Sequence, residues 1–264
     1  MADGKVTIET ILDSREFNKA VRELSGTTKK GLKVVTEAVA STATALGGLG
    51  LIAIKQGIAF ESAFAGVKKT VDATDKELAE FEQGIRDMAK SMPQSATAIA
   101  SVAEAAGQLG IKNESLLQFT KTMVMLGDAT NMTSDEAATA LARFANITGM
   151  SQDNFDKLGS TIVALGNNLA TTESEIVDMA MRIAGAGHQV GLTEAQIMSF
   201  SGALSSVGIE AEAGGTAFSN LISKMNLATQ KGGEQLEQFA SVAGMSADEF
   251  KKAFEEDAAS AIAR

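Results

Sequence analysis

A glycine pair followed by a threonine, Gly214-Gly215-Thr216 in the stretch GIEAEAGGTAF, comes closest in this sequence to a phosphate-binding loop. A Walker-type loop ends in Gly-Lys-Ser/Thr and connects a strand to a helix. Here no lysine precedes the threonine, and the preceding ALSSVGIE has a helical pattern. We therefore predict that Gly214 and Gly215, with Gly208 before them, are close-packing glycines. Because glycine has no Cβ, a helix that starts here can lie directly against a neighbour.

The other residues that commonly carry out catalysis are scarce. The sequence has a single histidine, His188, and lacks cysteine, tyrosine and tryptophan. We predict that AGAGHQVGL, which contains His188, is a glycine-rich connection, so a loop or interface role is favoured over acid–base catalysis. The 33 acidic residues are spread along helix-like segments as solvated faces. We predict no catalytic, cofactor-binding or metal-binding residues and no enzymatic activity; a site made of carboxylates alone is the alternative.

The composition sets the size of the core and argues against one class of partner. With 264 residues, of which 45% are hydrophobic, the chain can form a large core. A formal net charge of -10 disfavours specific nucleic-acid binding, which needs clustered Lys and Arg against the phosphates. Without cysteine the fold cannot depend on disulfides, and MADGKVTIET shows no secretory signal.

The N-terminal part differs from the rest in its apolar pattern. KVTIETILD alternates apolar and polar residues, which predicts one short strand. Residues 38–54 are uncharged but shorter than the roughly 20 residues that span a bilayer, and a helix over about 51–70 should overlap their end. We favour a buried or self-associating helix here over transient membrane contact. Both interpretations rest on the same apolar residues: Leu46, Leu49, Leu51, Ile52 and Ile54.

Beyond Pro93, the sequence repeats a short pattern about every twenty residues. Most units have Gly or Asn, an apolar residue, a polar helix starter and then acidic or amide residues, as in GLTEAQI and GMSADEF. In such a capping box the hydroxyl of the first residue accepts a hydrogen bond from the backbone N–H three residues later. The Glu or Gln side chain at that later position accepts one from the backbone N–H of the first residue. This pattern predicts an all-α fold of many short helices joined by tight glycine and capping-box turns. The predicted helix caps are Thr74, Thr133, Ser151, Thr172, Thr193 and Ser246.

Two long stretches together resemble a known family. GLTEAQIMSFSGALSSVGIEAEAGGTAFSNLISKM has an apolar-Thr-x-x-Gln helix, a small-residue middle, a Gly-Ile turn and Gly-Gly-Thr-Ala before an amphipathic helix. Upstream, FESAFAGVKKTVDATDKELAEFEQGIRDMAKSMPQSATAIASVAEAAGQLGI has a threonine-capped helix rich in Glu and Leu. In their order, over roughly residues 58–228, these elements resemble phage tail tape measure proteins of the family named after the lactococcal phage TP901.

The resemblance implies a domain organisation. Residues 1–57 would hold the N-terminal strand, a long helix and the Gly/Ala-rich apolar segment, and residues 58–228 would form the helical core of the family. Residues 229–264 would begin a further helical region. Tape measure proteins are usually much longer, and this sequence ends inside an apparent helix, DEFKKAFEEDAASAIAR. We therefore expect it to be part of a longer product, or of a split or truncated gene.

The resemblance also implies a function. Tape measure proteins are virion structural proteins of phage tails, or of related prophage or tail-like particles. They occupy the lumen of the tail tube, set tail length during assembly and leave the tail at DNA ejection. The implied partners are the tail tube protein, tail assembly chaperones and tail tip or baseplate proteins, with assembly in the bacterial host cytoplasm. The alternative function is a membrane-active, self-associating helical module built on residues 38–60.

Overall fold

The computed structural model describes residues 47–264, and within them every regular element is a helix. No β-strand occurs in this part of the chain, which confirms the all-α prediction; the predicted N-terminal strand and Leu46 lie outside the described residues. A single-turn 3-10 helix spans Gln152–Asn154. The α-helices of this region are α1 Gly47–Thr70, α2 Asp75–Ser91, α3 Ala96–Gln108, α4 Asn113–Ala129, α5 Ser134–Thr148, α6 Phe155–Asn168, α7 Glu173–Gln189, α8 Glu194–Ser206, α9 Ala211–Lys231, α10 Glu234–Val242, α11 Ala247–Glu256 and α12 Ala258–Ile262.

Within the described residues, helix α1 spans Gly47–Thr70, so it already includes the four residues before the predicted start near residue 51. It therefore contains Leu49, Leu51, Ile52 and Ile54, the described members of the apolar segment. Among the helices within residues 47–264, none combines the length and the apolar character needed to cross a membrane. The C-terminal part of α1 packs by Phe60 against α2, where the Arg86 guanidinium lies 3.9 Å from the centre of the ring.

Helices α2–α9 form four consecutive helix pairs, which we call hairpins 1–4: α2/α3, α4/α5, α6/α7 and α8/α9. Within each pair the connection is four residues long. Helices α8 and α9 nevertheless contact each other only slightly, because both pack mainly on α7. From α4 to α9, each helix also packs on the helix two positions earlier. The even-numbered helices therefore form one layer and the odd-numbered helices the other. We call α2–α9 the hairpin array.

The even-numbered helices share one buried apolar register. In each, three apolar residues follow one another at i, i+3 and i+7, which places them on one face of the helix. Corresponding positions are separated by 38, 39 and 42 residues, so the predicted unit of about twenty residues is one helix and the structural repeat is a hairpin of about 39. The residues of this register, all buried or partly buried, are Leu78, Phe81, Ile85, Leu116, Phe119, Met123, Phe155, Leu158, Ile162, Ile197, Phe200 and Leu204.

The last three helices form a small cluster of their own at the end of the chain. Phe250 of α11 stacks on Phe239 of α10 and on Phe254, with ring centres 6.3 and 6.1 Å apart. Ala59–Arg264 form one compact unit, which includes this cluster. The divisions predicted after residues 57 and 228 remain predictions about the family core.

Candidate functional site

The turns of the hairpin array carry the groups that the sequence singled out. At Thr133 the hydroxyl Oγ1 accepts from the Glu136 backbone N–H at 3.2 Å, while the Glu136 carboxylate accepts from the Thr133 N–H at 2.8 Å. Two of the four N–H groups that a helix start leaves unpaired are thereby satisfied. The same reciprocal box occurs at Thr74/Glu77, Thr172/Glu175, Thr193/Gln196 and Ser246/Glu249.

Ser151 differs from the other predicted caps. Its Oγ accepts from the Asp153 N–H at 3.5 Å and caps the single-turn 3-10 helix, and α6 begins only at Phe155. The reason is the side chain three residues on, because Asn154 is shorter than Glu or Gln and its amide oxygen accepts from Lys157 Nζ instead. Two further caps escaped the sequence analysis: Ser95 accepts from the Ala98 N–H, and Asp257 accepts from the Ser260 N–H.

The capping boxes make stability depend on pH. The backbone N–H of the capping residue, donating to the carboxylate, holds the pKa of the box glutamates below the usual 4.5, with the capping hydroxyl adding to the effect. A lowered folded-state pKa gives stability that is present above pH 4.5 and is lost as the pH falls through the lowered values. We expect the urea midpoint of unfolding, followed by circular dichroism, to fall over that range. The glutamates are Glu77, Glu136, Glu175 and Glu249.

A fourfold Glu→Gln variant at these positions should show a smaller fall of the urea midpoint on acidification. Gln196 shows that an amide fits the box, since its Oε1 accepts from the Thr193 N–H at 2.9 Å. A matched fourfold Glu→Gln variant outside the boxes should keep more of the wild-type fall. Equal falls in the two variants would contradict the assignment. The control positions are Glu80, Glu114, Glu212 and Glu237.

The glycines around residue 214 lie inside α9. The Gly214 N–H donates to the Glu210 carbonyl at 2.8 Å, so this backbone group already has a helical partner, unlike those of a phosphate loop. A Cβ at Gly215, which is buried, would lie 2.6 Å from Arg182 Cβ on α7, and one at Gly214 would overlap the Ile209 side chain. The helix thus begins at Ala211, three residues before the glycine pair and not at it as predicted.

Gly208 was wrongly grouped with the close-packing glycines. A Cβ there would meet no atom within 4 Å, but its φ of +81° is one that side-chain-bearing residues rarely adopt. Its role is to reverse the chain between α8 and α9. His188 also differs from the prediction, because it lies in the last turn of α7 and not in a connection, and its side chain is exposed.

One edge of the hairpin array carries amide side chains that bond to the connection leading into the preceding hairpin. The Asn113 amide donates to the Asp72 carbonyl at 2.7 Å. The Gln152 amide donates to the Gly110 carbonyl at 3.2 Å and accepts from the Lys112 N–H at 2.8 Å. Both side chains occupy the same place in the repeat. At the next equivalent place Glu194 has no N–H to donate, and its side chain makes no hydrogen bond within residues 47–264.

The opposite edge has its own side-chain links between hairpins. Between hairpins 2 and 3, the Asn131 amide donates to Ser174 Oγ at 2.7 Å and accepts from the Ser174 N–H at 3.1 Å. Gln94 donates to Asp128 at 3.0 Å, and the hydroxyls of Thr171 and Ser205 are hydrogen-bonded. Sequence analysis missed all of these links, because the partners are 34 to 43 residues apart.

Truncating Gln152 should destabilise α6 more than the partial exposure of the Gln152 side chain suggests. Gln152→Ala removes both of its hydrogen bonds to the connection before α4, and we expect the free energy of opening of α6 to fall by about 1.5 kcal/mol. Native-state hydrogen exchange of the α6 amides measures this quantity. The matched control is Gln118→Ala on α4, where the exposed side chain makes no hydrogen bond in the described region. A loss for Gln118→Ala as large as that for Gln152→Ala would contradict the role of the link.

Two grooves lie between helices of the same layer. One, of about 550 Å³, runs between α4 and α6 over Thr122, Leu126 and Gly159, with Met125 on its rim. The other, of about 700 Å³ and more polar, lies between α5 and α7 beside Asn131 and Ser174. In the part of the chain that the structure describes, no three histidine, cysteine or acidic side chains come together as metal ligands.

Comparison with known proteins decides the family. The family model described as "Phage-related minor tail protein" matches residues 82–263, more than half of the chain. The chain belongs to the phage-related minor tail protein family. It is therefore a phage tail protein. The matched residues run from within α2 to the end of α12 and include nearly the whole hairpin array.

One similar protein carries a more specific description. The "Probable tape measure protein" of Halomonas phage phiHAP-1 is 24% identical to this minor tail protein over 195 residues. The matched region is 69% of this chain but 23% of the relative, so the chain spans about a quarter of the relative's length. No solved structure matches the chain.

Proposed function

We propose that this chain is a segment of a tail tape measure protein of the type named after phage TP901. Such a protein lies in the lumen of the tail tube, sets tail length during assembly and is released at DNA ejection. The order of motifs over residues 58–228 and the similarity to a probable tape measure protein of another phage support the proposal. A structural role of this kind needs no catalysis, cofactor or specific nucleic-acid binding.

Within that protein, we assign to the hairpin array a compact role and not that of the ruler. The observation that carries this assignment is the folding back of α2–α9 into two layers. As one continuous helix, Asp75–Lys231 would extend about 235 Å. Four helices side by side in a layer, at roughly 8–10 Å each, cover only about 40 Å. Measurement of tail length would then depend on other residues of the full protein.

Deleting one hairpin repeat in the phage tests this assignment. Removing residues 133–171 takes out α5 and α6, which is one repeat length though not one of the four hairpins. It joins α4 to α7 and keeps a threonine cap, Thr172, at the junction. If the array stays folded, tails measured by electron microscopy should shorten by about 10 Å or less. If these residues were stretched as a helical ruler, the tails would shorten by about 60 Å. A duplication of the same residues is the matched control, and it should likewise change the tail length by about 10 Å or less.

Loss of the whole gene tests the tape measure function separately. We expect a phage with an early stop codon to make no tails of defined length, because tube polymerisation lacks its measure. Tails of normal length in that mutant would overturn the proposed function. The tail tube protein, the assembly chaperones and the tail tip or baseplate proteins are the proposed partners.

A further inference from the structure

Two positions on each even-numbered helix of the array, which we call the facing positions, are directed at the next even-numbered helix. They are the residue just before the third residue of the apolar register and the residue three positions after it. On α4 they are Thr122 and Leu126, and a Cβ at Gly159 of α6 would lie 3.2 and 3.4 Å from their side chains. A Cβ at Gly202 of α8 would lie 3.7 Å from Leu165, the second facing position of α6. In order along α2, α4, α6 and α8, the facing positions are Gly84 and Met88, Thr122 and Leu126, Thr161 and Leu165, and Ala203 and Val207.

The facing positions of α8 are uncovered in this chain. In α2, α4 and α6 the second facing position packs against the apolar core. Ala203 on α8 is exposed, and Val207 directly after this helix is 73% exposed, whereas the equivalent Leu126 is 3% exposed. Helix α10 leaves both residues exposed, because it packs on α9. The even-numbered layer therefore ends in an apolar surface formed by Ala203 and Val207, which we call the open face.

The opposite end of the same layer is covered from within the chain. Phe60 and Phe64 of α1 are buried, and the Arg86 guanidinium of α2 lies over the Phe60 ring. Arg86 also pairs with Glu61 of α1 at 3.5 Å. A second copy of the chain cannot extend the layer head to tail, since α1 occupies the side of α2 that the open face would need. Two open faces can still meet each other.

The charges of α8 favour a second copy of this chain as the partner. With a formal net charge of -10, two copies repel each other wherever acidic surfaces meet. Helix α8 carries one charged residue, Glu194 in its first turn, and the exposed Ser199 and Ala203 are small enough for close helix approach. If two α8 helices lie antiparallel, their Glu194 side chains are at opposite ends. Val207 of each copy then lies over Ala203 of the other.

We propose that two copies of this chain associate through the open face of α8 around a two-fold axis. In that arrangement the same residues contribute from both copies, and Val207 gains the cover that Leu126 has within the chain. The contact is small, so the dimer should be a weak one, with a dissociation constant of about tens of micromolar. The inference rests on the end of the hairpin array and not on the proposed function.

Sedimentation equilibrium of the full chain, from a few to a few hundred micromolar, tests this proposal. Val207→Glu places a carboxylate in the apolar contact, and we expect it to weaken association about 100-fold or more. Val242→Glu is the matched control, because Val242 on α10 is 83% exposed but is not a facing position, and it should leave association unchanged. A wild-type chain that stays monomeric throughout would overturn the proposal. So would equal association of the wild type and the Val207→Glu variant.

Cysteine cross-linking tests the two-fold arrangement itself. The sequence has no cysteine, so each introduced thiol is unique. Ala203→Cys chains mixed with Val207→Cys chains should form mixed disulfides, because residues 203 and 207 of opposite copies come within disulfide distance. Val242→Cys chains mixed with Val207→Cys chains are the control and should cross-link much less. Equal yields in the two mixtures would overturn the proposed arrangement.

Discussion

Replacing Gly215 with leucine should lower the free energy of opening of the α7–α9 pair by about 3 kcal/mol. Gly215 is buried where α9 lies against α7, and a Cβ there would come within 2.6 Å of Arg182 Cβ and 3.2 Å of Met179 Sδ. The Arg182 Cβ is fixed to the backbone and cannot rotate away, so the two helices must separate to admit a side chain. Native-state hydrogen exchange of the amides of α7 and α9 measures the loss.

The matched control for this substitution is on the partner helix. Gly185 of α7 is exposed, and a Cβ there would meet no atom within 4 Å. Gly185→Leu should therefore be neutral or stabilise by roughly 0.5–1 kcal/mol, because leucine has a higher helix propensity than glycine. If both variants lost stability equally, the close approach at Gly215 would not be the reason.

Truncating Phe119 to alanine should lower the free energy of opening of hairpins 2 and 3 by about 4 kcal/mol. The ring is 1% exposed and meets the Phe155 ring edge to face across the interface between α4 and α6. Phe119→Ala removes the buried area and leaves a cavity that the surrounding helices fill only in part. Hydrogen exchange of the α4 and α6 amides should show the change, with a much smaller effect in α2.

An exposed apolar residue on the same helix provides the comparison for Phe119. Met125 is 53% exposed on the rim of the groove between α4 and α6. Met125→Ala should change the same opening free energies by less than about 1 kcal/mol. A loss near that of Phe119→Ala would show that the groove, and not the aromatic pair, holds hairpins 2 and 3 together.

The parts of the fold that sequence analysis predicted are those with local causes. A capping box such as Thr133/Glu136 is complete within four residues, and the apolar face of a short helix is visible within one or two turns. Helix starts and the all-α class therefore follow from the sequence. Ser151 shows the limit of this logic, since a shorter third side chain converts the same motif into a 3-10 turn.

The features that sequence analysis missed depend on which helices become neighbours. Gly208 and Gly215 look alike in sequence, yet Gly208 provides a positive φ at the end of α8 and Gly215 a close helix approach. The role of Gly215 depends on the position of α7, which is about 30 residues away in the sequence. The Asn113 and Gln152 links join turns about 40 residues apart. The available signal was a polar residue that recurs after about 39 residues, as Asn113 and Gln152 do. This period becomes visible only when two helices of about twenty residues each are counted as one repeat.

The local packing of α2–α9 also bears on how the chain is made. A ribosome adds about 5–20 residues per second, so a 39-residue hairpin emerges over several seconds. Helices and short loops form in microseconds or less. Each new hairpin can therefore settle on the one already synthesised before the next appears, and no apolar face of the array has to wait for a distant C-terminal partner. The order of translation would then be the order of stacking.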